Sequence, residues 1–197
     1  MKFSKIEIRD LIIAILILSF AFGGIENFLF ALFAIGISFI VHEILGHKAI
    51  AQYYGCYAEF RAWTYGLLLA LITSLLNIGI IFAAPGAVYI SSFVKRKNYI
   101  RPLSLDENGK ISLAGPGMNI ILSFILIIFS VLLFNNLSNI LIFIILFTAK
   151  ISLFLAFFNL LPIPPLDGYT VLRWSKIIWL ISIIIAGIGY FALSSLF

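Results

Sequence analysis

Charge is what this chain has least of. Only 11% of its 197 residues are Asp, Glu, Lys or Arg, against 63% hydrophobic, with a mean hydropathy of +1.17. Soluble domains carry roughly 25% charged residues, so the composition excludes a water-soluble fold and leaves an integral membrane protein. Cysteine is nearly missing: Cys56 stands alone, which rules out an internal disulfide and leaves the compartment unread by redox. Internal repeats and low-complexity linkers are absent too, and 94–115 is too short for a separate soluble sensing module. The expectation is one membrane-embedded domain over 1–197. No short apolar segment ends in an A-x-A-like cleavage site, so the N-terminus is read as part of the mature protein. The net charge of +5 does not point to nucleic acid, because Lys and Arg gather beside apolar segments as they do in cytoplasmic loops facing a bilayer.

A spanning helix needs about 20 apolar residues at about 1.5 Å each. Segments 28–50, 116–134, 138–160 and 177–196 meet that need. Segment 11–25 is shorter and reads as the first arm of a helical hairpin closed by Gly23-Gly24-Ile25-Glu26-Asn27. The expected fold is therefore an all-α polytopic membrane protein of about five crossings. The stretch 57–93, apolar from 64 on, is broken by Gly66, Asn77, Gly79 and Ala83-Ala84-Pro85-Gly86. It is expected to be a re-entrant or interfacial element, with β-hairpin character, between the second and third crossings. With that topology all Lys and Arg except Lys150 fall on one side, as the positive-inside rule requires. The N-terminus is then cytoplasmic and the C-terminus external.

Histidine occurs twice, at His42 and His47, with Glu43 between them inside the apolar run from Phe28 to Ile50. Ionisable groups at membrane depth cost about 2.5–3.5 kcal/mol each on the mild insertion scale for Asp, Lys or Arg. Such a cluster invites a metal or proton function. If Phe28 lies at the outer face, His42 is about 21 Å down, leaving about 9 Å of hydrocarbon below it. On a regular helix, residues five apart point about 140° from each other, a geometry that does not chelate. A π-bulge would bring the rings to one side, and Gly46, a weak helix former, is a place for it. A second polar point follows Pro162, Pro164 and Pro165, which cannot continue a helix. The chain should leave 138–160 extended and present Asp167 before Gly168 in a tight turn, where an aspartate serves a cation or a cap.

Together these motifs resemble the site-2 proteases, a family of zinc intramembrane metalloproteases. The H-E-x-x-H helix of that family resembles His42-Glu43-Ile44-Leu45-Gly46-His47, here one residue longer, and its L-G-H-x-x-x-A-x-x-x-G continuation resembles Leu45 to Gly55. Pro85-Gly86-Ala87-Val88-Tyr89 and Ala114-Gly115-Pro116-Gly117-Met118-Asn119 resemble two further family segments. Asn159-Leu-Leu-Pro-Ile-Pro-Pro-Leu-Asp167-Gly168 resembles the N-x-x-P-x-P-x-x-D-G block, the most specific part of a likeness covering about residues 40–173.

The resemblance implies one zinc ion held by His42, His47 and Asp167, with Glu43 as general base and Asn159 near the scissile carbonyl. It also implies 28–50, 116–134 and 138–160 as core helices. The implied activity is hydrolysis of transmembrane segments of substrate proteins by metal-activated water, with the site toward the cytoplasm and an edge within 57–93 pairing with the unwound substrate. Two other classes stay open at this point. A catalytically silent relative would keep the fold as a membrane-protein scaffold, and a metal or proton transporter would use the same side chains as an ion pathway. Oligomeric state is not legible.

Overall fold

The computed structural model describes residues 1–76, 84–96 and 99–195. Helix α1 runs Lys5–Gly23, its N-terminus capped by Ser4 Oγ, which accepts from the Glu7 N–H at 3.1 Å. A tight turn leads into one long helical rod: α2, Phe28–Ile40, a π-helical segment, Val41–Lys48, and α3, Ala49–Tyr54. Strand β1, Ala58–Ala62, and α4, Thr64–Leu75, follow. Then come β2, Gly86–Ile90, β3, Phe93–Arg96, and β4, Tyr99–Pro102. The second half is helical: α5, Leu105–Leu132, α6, Asn139–Asn159, α7, Asp167–Trp174, and α8, Lys176–Ser194.

Among the described residues, four helices are long and apolar enough to cross a membrane: Phe28–Tyr54, Leu105–Leu132, Asn139–Asn159 and Lys176–Ser194. The chain is thus an all-α membrane protein with two small antiparallel ribbons, β1–β2 and β3–β4. Helix α1 carries Lys5, Glu7, Arg9 and Asp10 in its first two turns and is free of charge from Leu11 to Gly23.

The second core helix starts earlier than the expected 116–134. Ser104 and Glu107 form a reciprocal capping box, so Asp106-Glu107-Asn108-Gly109 is the first turn of α5 and not a loop, and Pro116 lies mid-helix. A proline there removes the N–H that would bond the carbonyl of Ser112, a residue that lines the main cavity. The run after α6 also departs from expectation. Residues 160–166 form turns instead of an extended strand, and Asp167 opens α7. Gly168 is required by proximity, not by a turn, because a Cβ there would run into the Leu160 carbonyl.

The β1–β2 ribbon brings the two ends of the middle stretch together: Ala62, just before α4, pairs with Gly86. Asn77, Gly79 and Ala83, which the sequence marks as breakers, lie outside the described residues. In the core, Phe39 and Phe60 meet edge-to-face at 5.4 Å, joining the rod to β1. Ser38 and Ser152 hydroxyls hydrogen-bond at 2.7 Å across α2 and α6, a polar tie between helices where hydrocarbon offers no alternative partner.

Candidate metal centre

The His42-to-His47 spacing fails on a regular helix, and the helix is not regular there. All of Val41–Lys48 is π-wound, with the Ala49 N–H reaching the Ile44 carbonyl five residues back. An i→i+5 turn stacks residue i+5 over residue i, so both rings lie on one flank, their Nε2 atoms 3.2 Å apart. The distortion exceeds a single bulge at Gly46. That glycine serves a different purpose: a Cβ on it would lie 2.7 Å from the Gly115 Cα, so Gly46 lets the rod and α5 touch backbone to backbone.

Helix α7 brings the third group. Asp167 Oδ2 lies 3.1 Å from His47 Nε2 and 3.4 Å from His42 Nε2. Burial opposes ionisation of this carboxyl, but without a metal the charge of a protonated His47 and hydrogen bonds from both rings outweigh it and hold the group down at about 2. Each ring is fixed from behind. His47 Nδ1–H donates to the Ile111 carbonyl at 2.8 Å, which leaves Nε2 of the neutral ring as an acceptor. His42 Nδ1 faces the Asn119 amide nitrogen at 3.2 Å, while Asn119 Oδ1 is buried with no partner. Turning that amide over gives Oδ1 an N–H to accept and likewise bares His42 Nε2.

Three acceptors then converge, a constellation that only a cation or a proton relieves. Ligand atoms about 2.0–2.1 Å from a tetrahedral zinc lie about 3.3 Å from each other, and the observed separations are 3.1, 3.2 and 3.4 Å. The donor set, two imidazoles and a carboxylate, is one that zinc accepts with a fourth position open. The five-residue spacing, which kept a silent relative in play, is therefore no obstacle to a metal.

Glu43 is 5% exposed and its Oε2 has no hydrogen-bond partner. A buried carboxylate oxygen without a partner is costly, and Glu43 stands at the wall of a cavity of about 460 Å³. That cavity also touches His42, His47, Asp167, Asn159 and the strand β2. Asn159, the last residue of α6, spends one amide N–H on the Leu155 carbonyl at 2.9 Å, and the other is left to serve the cavity. The five residues singled out from the sequence are thus brought together. Asn119, Gly115 and Ile111 were missed as site residues. Asn119 is visible only as part of the Ala-Gly-Pro-x-x-Asn segment, and Ile111 contributes a backbone carbonyl that no side-chain pattern announces.

Comparison with known proteins points the same way. Residues 134–182 match peptidase family M50. Over 184 residues the chain is 45% identical to a curated protein of Methanocaldococcus jannaschii described as "Putative zinc metalloprotease", covering 91% of this chain and 90% of that relative. No solved structure matches.

Proposed function

The chain belongs to peptidase family M50, the site-2 protease family, and on that premise we propose that it is a zinc-dependent intramembrane endopeptidase. Its substrates on this reading are transmembrane segments of other membrane proteins, and its one zinc ion is held by His42, His47 and Asp167. The observation that carries the proposal is the meeting of these three acceptors with the Glu43 carboxylate, whose Oε2 has no hydrogen-bond partner, in one cavity beside β2.

When bound, zinc supplies Lewis acidity that polarises a peptide carbonyl and acidifies water. Glu43 takes the proton of the attacking water and returns it to the departing amine nitrogen. The free amide N–H of Asn159 is the donor available to the oxygen on which charge develops. A helical substrate has its carbonyls engaged in its own i→i−4 bonds, so it must be drawn out before attack. Strand β2 provides the template. Trp63 N–H donates to Pro85 O and Ser91 N–H to Tyr57 O, so by alternation Gly86, Val88 and Ile90 turn their backbone groups away from β1. No strand pairs with that edge among the described residues, and the Val88 N–H interacts with the Glu43 carboxylate. An extended peptide added there lies beside the base. The Lys- and Arg-rich side, including the N-terminus, faces the cytoplasm in this reading, with the site near that face and the C-terminus outside.

The test is metal analysis paired with cleavage of a transmembrane peptide in liposomes. Glu43→Gln should retain one zinc per chain and lose cleavage, whereas His47→Ala should lose both. Zinc-loaded wild-type protein that cleaves no transmembrane or unfolded peptide, or full activity in Glu43→Gln, would overturn the proposal.

A further inference from the structure

A fully buried ion pair lies outside the catalytic constellation, and the mechanism above does not use it. Lys48 and Glu7 are both 0% exposed. The Lys48 ammonium donates to Glu7 Oε1 at 2.6 Å, to Glu7 Oε2 at 2.5 Å and to the Lys2 carbonyl at 2.9 Å, and it sits over the Phe3 ring. Desolvating two charges so completely is expensive, and a well-packed apolar pair is often as good or better for stability. Stability alone is therefore a weak reason for it to be there.

Glu7 has a further partner. Its Oε1 also accepts the Phe60 backbone N–H at 3.0 Å, and one turn along α1 the Asp10 carboxylate accepts the Ala62 N–H at 3.1 Å. These are two of the three β1 amides that point away from β2, the other being Ala58. Helix α1 thus occupies much of the outer edge of β1 with two carboxylates where a third strand would supply carbonyls. Among the described residues the edge left open along its length is the one at β2.

The three contacts of Glu7 also connect two parts of the site. Lys48 follows His47 directly in the π segment, and Phe60 pairs with Val88 across the ribbon. One carboxylate therefore ties the metal-ligand helix to the strand whose open edge faces Glu43. We propose that Glu7 is a positioning residue: through Lys48 and the Phe60 N–H it fixes how far the β2 edge stands from the Glu43, His42 and His47 cluster, while with Asp10 it confines peptide pairing to β2. This inference rests on the peptidase reading for its kinetic consequence, but its geometric half stands without it.

The experiment uses the full chain in liposomes and two variants that keep the buried charge balanced. Glu7→Gln combined with Lys48→Met cuts the tie to the π segment while leaving an acceptor for Phe60. Glu7→Asp keeps the charge but is one methylene too short to hold both partners, and it serves should the double variant not fold. On an extended fluorogenic peptide, kcat should fall roughly ten- to hundredfold, the cost of a displacement of about 1 Å at a reacting bond. KM should stay within about twofold and zinc at one per chain, since pairing at β2 and the ligands are intact. In the metal-free protein, amide exchange in 57–63 and 85–91 should quicken by roughly tenfold, as expected for weakened hydrogen bonds to a charged acceptor, with α5 and α6 unchanged. Unchanged kcat, a raised KM at unchanged kcat, or unchanged exchange in the ribbon would each overturn the proposal. If the zinc-loaded wild type cleaves nothing, the peptidase reading falls, and the exchange result still decides the bracket.

Discussion

At the scale of single residues, the site is defined as much by what is small as by what ligates. Gly115 lies on α5 directly over the imidazoles, and a Cβ there would meet His47 Nε2 and lie 2.8 Å from His42 Nε2. Gly115→Ala should therefore abolish zinc binding in a protein that still folds, measured as metal per chain after gel filtration, because the added methyl occupies the space between the donors and the opposing helix. Asn119 acts differently. It touches His42 from the rear and is itself fully buried, so Asn119→Ala should leave the ligands in place but loosen one ring. Partners behind metal-bound histidines are worth about 10- to 100-fold in affinity. A chelator competition titration should show zinc released at correspondingly lower chelator concentration, and unchanged affinity would remove Asn119 from this role.

At the scale of elements, the π segment converts an unusual spacing into a usable one. A π turn holds one residue more than the α-helix it interrupts, so deleting one exposed residue from it should rewind the segment to α and preserve the register on both sides. Leu45 is 47% exposed and is the residue to delete. The shortened chain should keep zinc and keep Lys48 on Glu7, whereas adding an alanine after Leu45 should lose the metal. Metal content of the two variants, read side by side, checks it.

This is also where the reach of the sequence ends. The residues of the site were legible because ionisable groups stand out against hydrocarbon-like surroundings, and the need for a π turn followed from helical geometry. The extent of α5 was not legible, since Pro116 and its flanking glycines look like a helix start until the capping box at Ser104 is seen. Nor was the helix at Asp167, because a proline-rich run predicts extension but not the turns that seat Gly168 against Leu160. The Glu7–Lys48 tie joins residues 41 apart in sequence, and nothing local to either one announces it.

At the scale of the whole molecule, the arrangement makes a statement about sidedness. His42, His47 and Asp167 share a site, and on the proposed reading α5 and α6 are the two passes between them, with the stretch between the paired Ala62 and Gly86 returning to the side it left. The turn at 133–138 should then face outward and the β3–β4 hairpin inward. In a Cys56→Ala background, a cysteine at Asn136 should react with a membrane-impermeant thiol reagent from outside, and one at Lys95 only after the membrane is opened. The reverse pattern would invert the topology and put the site at the other leaflet.

The strand that leaves toward α4 and the strand that returns are clasped to each other, and α4 itself is anchored: Leu67 and Ala70 are buried in the core and Ser74 Oγ donates to the Ala21 carbonyl. Its other face, with Tyr65, Leu68 and Ile72, is exposed. On the proposed reading, that outward face is where preference among substrates can change at little cost to the chemistry.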